Sequence, residues 1–100
     1  MHKIIGFMSF AYAKLRWPIL LDIRTLQEYK SGHIPGSENL PLVLLDNAVK
    51  IIENEDTPIF VYCQSGNRSR QAAARLAAMG YFNVKNNGGI AAWTGEVESV

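Results

Sequence analysis

The sequence predicts an α/β fold, an open parallel β-sheet flanked by helices on both faces. Short runs rich in β-branched and aromatic residues alternate with helix-forming stretches, the order expected of strands joined by helical crossovers. The clearest pair is Pro58-Ile59-Phe60-Val61-Tyr62, which reads as a buried strand, and the Ala-rich stretch from Arg70 to Met79, which reads as a helix. No repeat, linker or low-complexity segment divides the 100 residues, so residues 1–100 read as one domain of common size.

Residues 1–16 admit two readings. His2 and Lys3 precede an apolar run ending Ala11-Tyr12-Ala13, which resembles a miniature signal segment with a small-x-small end. The preferred reading is a folded start, with a strand at Ile4-Ile5, Ser9 as N-cap and a helix over 10–16. The expected compartment is then the cytoplasm, with export the alternative if residues 1–13 are a signal segment. No run approaches the ~20 apolar residues of a membrane span.

Residues 18–23 read as the next strand, closed by Asp22 and Arg24. Thr25-Leu26-Gln27-Glu28 has the form of a capping box, with Thr25 as N-cap and Glu28 at the third helical position. Gly32 ends that helix, and His33-Ile34-Pro35-Gly36 is a turn. His33 is assigned a structural hydrogen-bonding role in preference to that of a general base. Residues 39–41 re-enter the sheet. Leu42, Leu45, Val49 and Ile52 recur at helical spacing, so residues 42–53 read as a helix. After the helix that ends at Gly80, residues 81–84 are expected to form the last strand. Asn86-Asn87-Gly88-Gly89 then reads as a turn and residues 90–93 as a short helix, with Trp93 a packing anchor.

Composition narrows the function. The chain is 48% hydrophobic and 19% charged, which suits a packed core. A net charge of +1 gives no global case for nucleic acid or membrane partners, and none is expected. Residues 57–95 nevertheless contain Arg68, Arg70, Arg75 and Lys85 and no acid, so that half suits anionic ligands. A single cysteine excludes an internal disulfide, an internal resolving thiol and a cysteine-rich metal site. His2 and His33 lack metal-ligand spacing, so neither metal nor cofactor is expected.

That cysteine, Cys63, falls where the strand gives way to the helix, the edge at which open α/β sheets bind ligands. The loop Gln64-Ser65-Gly66-Asn67-Arg68-Ser69 comes next. Its amides can form an anion-binding nest, the helix start adds a positive dipole end, Arg68 adds a charge, and Ser69 is read as the N-cap. Such a cup lowers the pKa of a thiol and holds a sulfur anion.

The loop resembles the active-site loop of the rhodanese superfamily. Leu21-Asp22-Ile23-Arg24, Glu28-Tyr29, Gly32-His33-Ile34-Pro35-Gly36-Ser37, Asn39-Leu40-Pro41-Leu42 and Gly88-Gly89-Ile90 with Trp93 resemble the rest of its pattern, in order. The resemblance implies a sulfurtransferase in which Cys63 carries a persulfide. Gln64 to Ser69 would bind the sulfur, with Arg68 positioning the donor. The expected partners are a small anionic sulfur donor such as thiosulfate, a thiol or cyanide acceptor, and a sulfur-carrier protein. Asp22 and Arg24 would tie strand ends to loops. Two alternatives are a binding or regulatory module without turnover and a cysteine phosphatase. Phosphatases related to this family place five residues between cysteine and arginine, whereas four separate Cys63 from Arg68, a loop better sized for one sulfur than for a phosphate.

Overall fold

The structure is a computed structural model that describes residues 18–100; both readings of residues 1–16 lie outside them. In chain order the elements are β1 (Ile19–Asp22), α1 (Leu26–Ser31), β2 (Glu38–Asn39) and a 3-10 turn (Leu42–Asn47) running into α2 (Ala48–Ile51). Then come β3 (Ile59–Cys63), α3 (Asn67–Ala78), β4 (Val84–Gly89) and a 3-10 turn (Ile90–Ala92). The strands form one parallel sheet in the order β2-β1-β3-β4, so β1 and β3, the most apolar strands, are central.

Strand alternation sorts the side chains. Leu21, Ile23, Ile59, Val61 and Cys63 pack with Leu45 of the first 3-10 turn, with Ala48 and Ile52 at the two ends of α2, and with Ala72 and Leu76 of α3. The small Ala72 lets α3 approach the sheet closely. On the opposite face Leu20 and Tyr62, with Ile34, Asn87, Gly89, Ala92 and Trp93, line an open cavity of about 190 Å³. Trp93 is 45% exposed and donates its indole N–H to the Glu96 carbonyl at 2.8 Å, so it covers this cavity rather than anchoring a core. Among the described residues no helix is long and apolar enough to cross a membrane.

The α1 cap has the expected form. The Glu28 N–H donates to Thr25 Oγ1 at 3.2 Å and the Thr25 N–H to Glu28 Oε1 at 3.0 Å, and Gly32 closes the helix. Two other elements depart from the sequence reading. Residues 42–53 do not form one helix, because Leu44 takes non-helical angles (φ −109°, ψ 17°) between two short pieces. Ala48 is buried there and Val49 is 58% exposed, so the buried stripe is Leu45, Ala48 and Ile52. The last strand lies at Val84–Gly89 instead of 81–84. Tyr81 is buried instead and donates its hydroxyl proton to the Ile52 carbonyl at 2.6 Å. The Asn-Gly run read as a turn pairs with β3, and the register shifts from Val61↔Asn86 to Cys63↔Gly89, inserting one extra residue in β4. Such a bulge lets a polar, glycine-rich segment stay in a sheet while bending beside a neighbouring loop.

Candidate functional site

Cys63 ends β3, and the chain turns immediately into α3. Gly66, not Ser69, is the N-cap of α3, and it sits at φ 107°. That is the left-handed region, open to glycine at little cost. The early start places the N–H groups of the first turn around the sulfur. Gly66 N–H donates to Cys63 Sγ at 3.0 Å and Ser69 N–H at 3.3 Å, while Ser69 Oγ lies 3.5 Å away. Cys63 is 1% exposed. Burial alone pushes its thiol pKa up. The hydrogen bond with the Ser69 side chain and those from the N–H groups of Ser69, Gly66 and Ser65 outweigh this, leaving the thiol below its ordinary value. The loop thus favours negative charge on sulfur despite its burial.

Ser69 is fully buried, and its work differs from a cap. Its Oγ lies 2.6 Å from Asn86 Oδ1 and 3.0 Å from the Gly66 carbonyl. Asn86 Oδ1 also accepts the Gly88 N–H at 2.8 Å. A side chain on β4 therefore positions the hydroxyl beside the sulfur. Asn86 was invisible as a site residue in the sequence because its run read as a turn. Gly89 matters through space, since a Cβ there would lie 2.6 Å from Ser65 Cα. The Ala91 N–H meets the Gln64 carbonyl at 3.1 Å, so the cysteine loop rests directly on the end of β4.

Arg68 is not the unopposed loop cation expected from sequence. It sits in the first turn of α3, and its guanidinium meets the Glu28 carboxylate end on, at 2.8 and 3.0 Å. Residues 57–95 hold no acid, and the partner comes from α1 instead. The Arg68 guanidinium, offset by burial, holds the Glu28 carboxyl down at about 2. Gln64, Ser65 and Asn67 are exposed around the mouth of the loop, and Arg70 reaches back to Asn67 Oδ1 at 3.2 Å.

Asp22 and Arg24 form the scaffold below. Arg24 contacts Asp22 through Nε and NH2, the latter at 2.7 Å, and also reaches the Gly32 carbonyl and Gln64 Oε1. His33 is buried. It donates Nδ1–H to the Tyr29 carbonyl at 2.8 Å, and its ring stacks on Tyr29 with centroids 3.7 Å apart. Both nearby hydroxyls are tied down: Tyr62 OH meets the Ile34 N–H and Ser37 Oγ, each at 3.0 Å. Burial pushes Tyr62 up to about 12. No group of three or more His, Cys, Asp or Glu residues capable of holding a metal occurs among the described residues.

The chain and its fold have counterparts among known proteins. The model of the rhodanese-like domain matches residues 11–96. The chain belongs to the rhodanese-like family. A sulfurtransferase of Allochromatium vinosum is 43% identical over 76 residues, covering 75% of this chain and 70% of that protein. Thiosulfate sulfurtransferase PspE of Escherichia coli is 32% identical over 71 residues, covering 70% and 68%. The solved structure of a "rhodanese with anions from E. coli" superposes with a TM-score of 0.78 at 27% identity, covering 83% of this chain and 99% of that one. This rhodanese-like domain spans only part of some curated relatives, 43% of the putative sulfur carrier protein YrkF of Bacillus subtilis, for example. Among its relatives, those of Allochromatium vinosum and Escherichia coli are named sulfurtransferases.

Proposed function

We propose that this domain transfers a sulfane sulfur from a small donor such as thiosulfate to a thiophilic acceptor through a persulfide on Cys63. The observation that carries the reading is the amide cup, in which Gly66 and Ser69 N–H groups point at Cys63 Sγ from 3.0 and 3.3 Å. In the first step the Cys63 thiolate attacks the outer sulfur of thiosulfate. The new S–S bond forms as the bond to the sulfonate sulfur breaks, and sulfite leaves with the electron pair. The terminal sulfur of the persulfide carries the negative charge. In the second step cyanide or a thiolate attacks that terminal sulfur, the Cys63 S–S bond breaks, and the thiolate is restored. This is double-displacement covalent catalysis. The loop amides stabilise the anionic sulfur at each stage without reorganising. No second thiol in the chain competes for the persulfide, so the acceptor is external. A sulfur-carrier protein is a fitting acceptor, since the family includes a protein named as a putative carrier.

The test is the intact mass before and after thiosulfate treatment. One added sulfur atom is expected in the wild type and none in Cys63→Ser. An unchanged wild-type mass, or turnover in Cys63→Ser near the wild-type rate, removes the covalent mechanism.

A further inference from the structure

The cation that should greet an anionic donor is already occupied. Arg68 presents NH1 and NH2 to the two Glu28 oxygens at 2.8 and 3.0 Å, a bidentate pair of the kind arginine also makes with oxyanions. Glu28 is not a mobile surface acid. Its Oε1 also accepts the Thr25 N–H at 3.0 Å and lies 3.2 Å from Thr25 Oγ1, so the capping box of α1 holds the carboxylate in place. The pair is only part-buried, with side chains 36% and 34% exposed, and is therefore open to competition from solution. Other cations nearby are differently placed: Arg24 is buried against Asp22, and Arg70 lies on the exposed side with Asn67.

We infer that Glu28 is a specificity-determining residue, a built-in carboxylate that occupies the anion seat of Arg68 and that a sulfur oxyanion must displace to dock beside Cys63. This deepens the proposed function and rests on its assignment of small anionic donors to the Cys63 loop. The chemistry is that of charge. A dianion such as thiosulfate or sulfate competes with a tethered monoanion, and removing that competitor strengthens its binding. A neutral donor gains nothing from the change.

Glu28→Gln isolates the effect, because a capping box accepts glutamine at this position and α1 keeps its start. Sulfate, which has no sulfane sulfur, is titrated into wild type and Glu28→Gln and followed by the shifts of the Arg68 side chain and the Gly66 and Ser69 amides. The expected result is sulfate affinity about fivefold higher in Glu28→Gln, the scale of one part-exposed ion pair. The same direction is expected in Glu28→Ala and no gain in Glu28→Gln with Arg68→Ala. In parallel, the thiosulfate concentration that half-saturates sulfur loading, read by intact mass, should fall by a similar factor. Equal sulfate affinity in wild type and Glu28→Gln overturns the inference, as does weaker binding in the variant or no binding in either. If thiosulfate never adds mass to the wild type, the sulfurtransferase reading fails, and the sulfate titration still decides the role of Glu28.

Discussion

Cys63 combines two properties that usually oppose each other. It is 1% exposed, and apolar burial suppresses a thiolate. Its thiol nevertheless lies below the ordinary value, because burial is outweighed by the Ser69 hydroxyl and three loop N–H groups, which favour the charged form. The rate of iodoacetamide alkylation should therefore rise with a midpoint below that of a free cysteine, about 8.5. Ser69→Ala keeps the backbone donor and loses the hydroxyl, so its midpoint should move upward. It should also cost about 1 kcal/mol in unfolding experiments, since the buried Oγ bonds Asn86. A Ser69→Ala midpoint equal to the wild type would leave the amides as sole stabilisers. Much of this site can be read from sequence. A cysteine between an apolar strand and an Ala-rich helix, with Gly66 three residues on, places the sulfur at a sheet edge. The contributions of Asn86 and Gly89 cannot be read that way, because they depend on which strand lies beside the loop.

At the scale of elements, α1 is organised by a local rule that also serves a distant partner. Thr25 and Glu28 cap each other, and Glu28 then reaches Arg68 across 40 residues. The first half was legible in the sequence, because a capping box is a four-residue pattern. The ion pair was not, because nothing local in residues 57–95 reports an acid on another element. β4 lies beyond the residues whose sequence suggests a strand for a related reason: Asn-Asn-Gly-Gly carries turn chemistry, and tertiary pairing with β3 overrides it. The ion pair gives a pH prediction. The Arg68 hydrogen bond, offset in part by burial, places Glu28 at about 2 in the folded protein against 4.5 ordinarily. A carboxyl lowered on folding adds stability that is complete above its unfolded value and is lost as pH falls. Unfolding free energy should thus decline between about pH 5 and pH 2. With a third of each side chain in solvent, the contribution from this pair is about 1 kcal/mol. Glu28→Gln should flatten that part of the profile. An unchanged slope would assign the acid sensitivity to other carboxylates.

Across the molecule, the loop that holds the sulfur is assembled from pieces far apart in sequence. β3 supplies Cys63, α3 the first-turn donors, β4 the side-chain oxygen of Asn86, and α1 the partner of Arg68. The β3 and β4 pieces meet at the bulge where Cys63 pairs with Gly89. Gly89 is extended backbone, so any residue could adopt its angles; space is what forbids a side chain. A methyl group there would meet Gln64 and Ser65, whose backbone forms the start of the loop. Backbone cannot swing aside as a flexible side chain does, so Gly89→Ala must push the loop off β4. Overpacking of this kind costs about 1–3 kcal/mol. The displaced loop should also lose the aim of its N–H groups at the sulfur. Gly89→Ala should therefore lower the melting temperature and raise the alkylation midpoint of Cys63 together. Gly36→Ala offers the control, because its Cβ meets nothing within 4 Å while its φ of 89° still strains the backbone. It should lower the melting temperature and leave the midpoint in place. If Gly89→Ala destabilises the protein without moving the midpoint, the contact with β4 supports the fold alone, and the sulfur cup is set within Cys63 to Ser69.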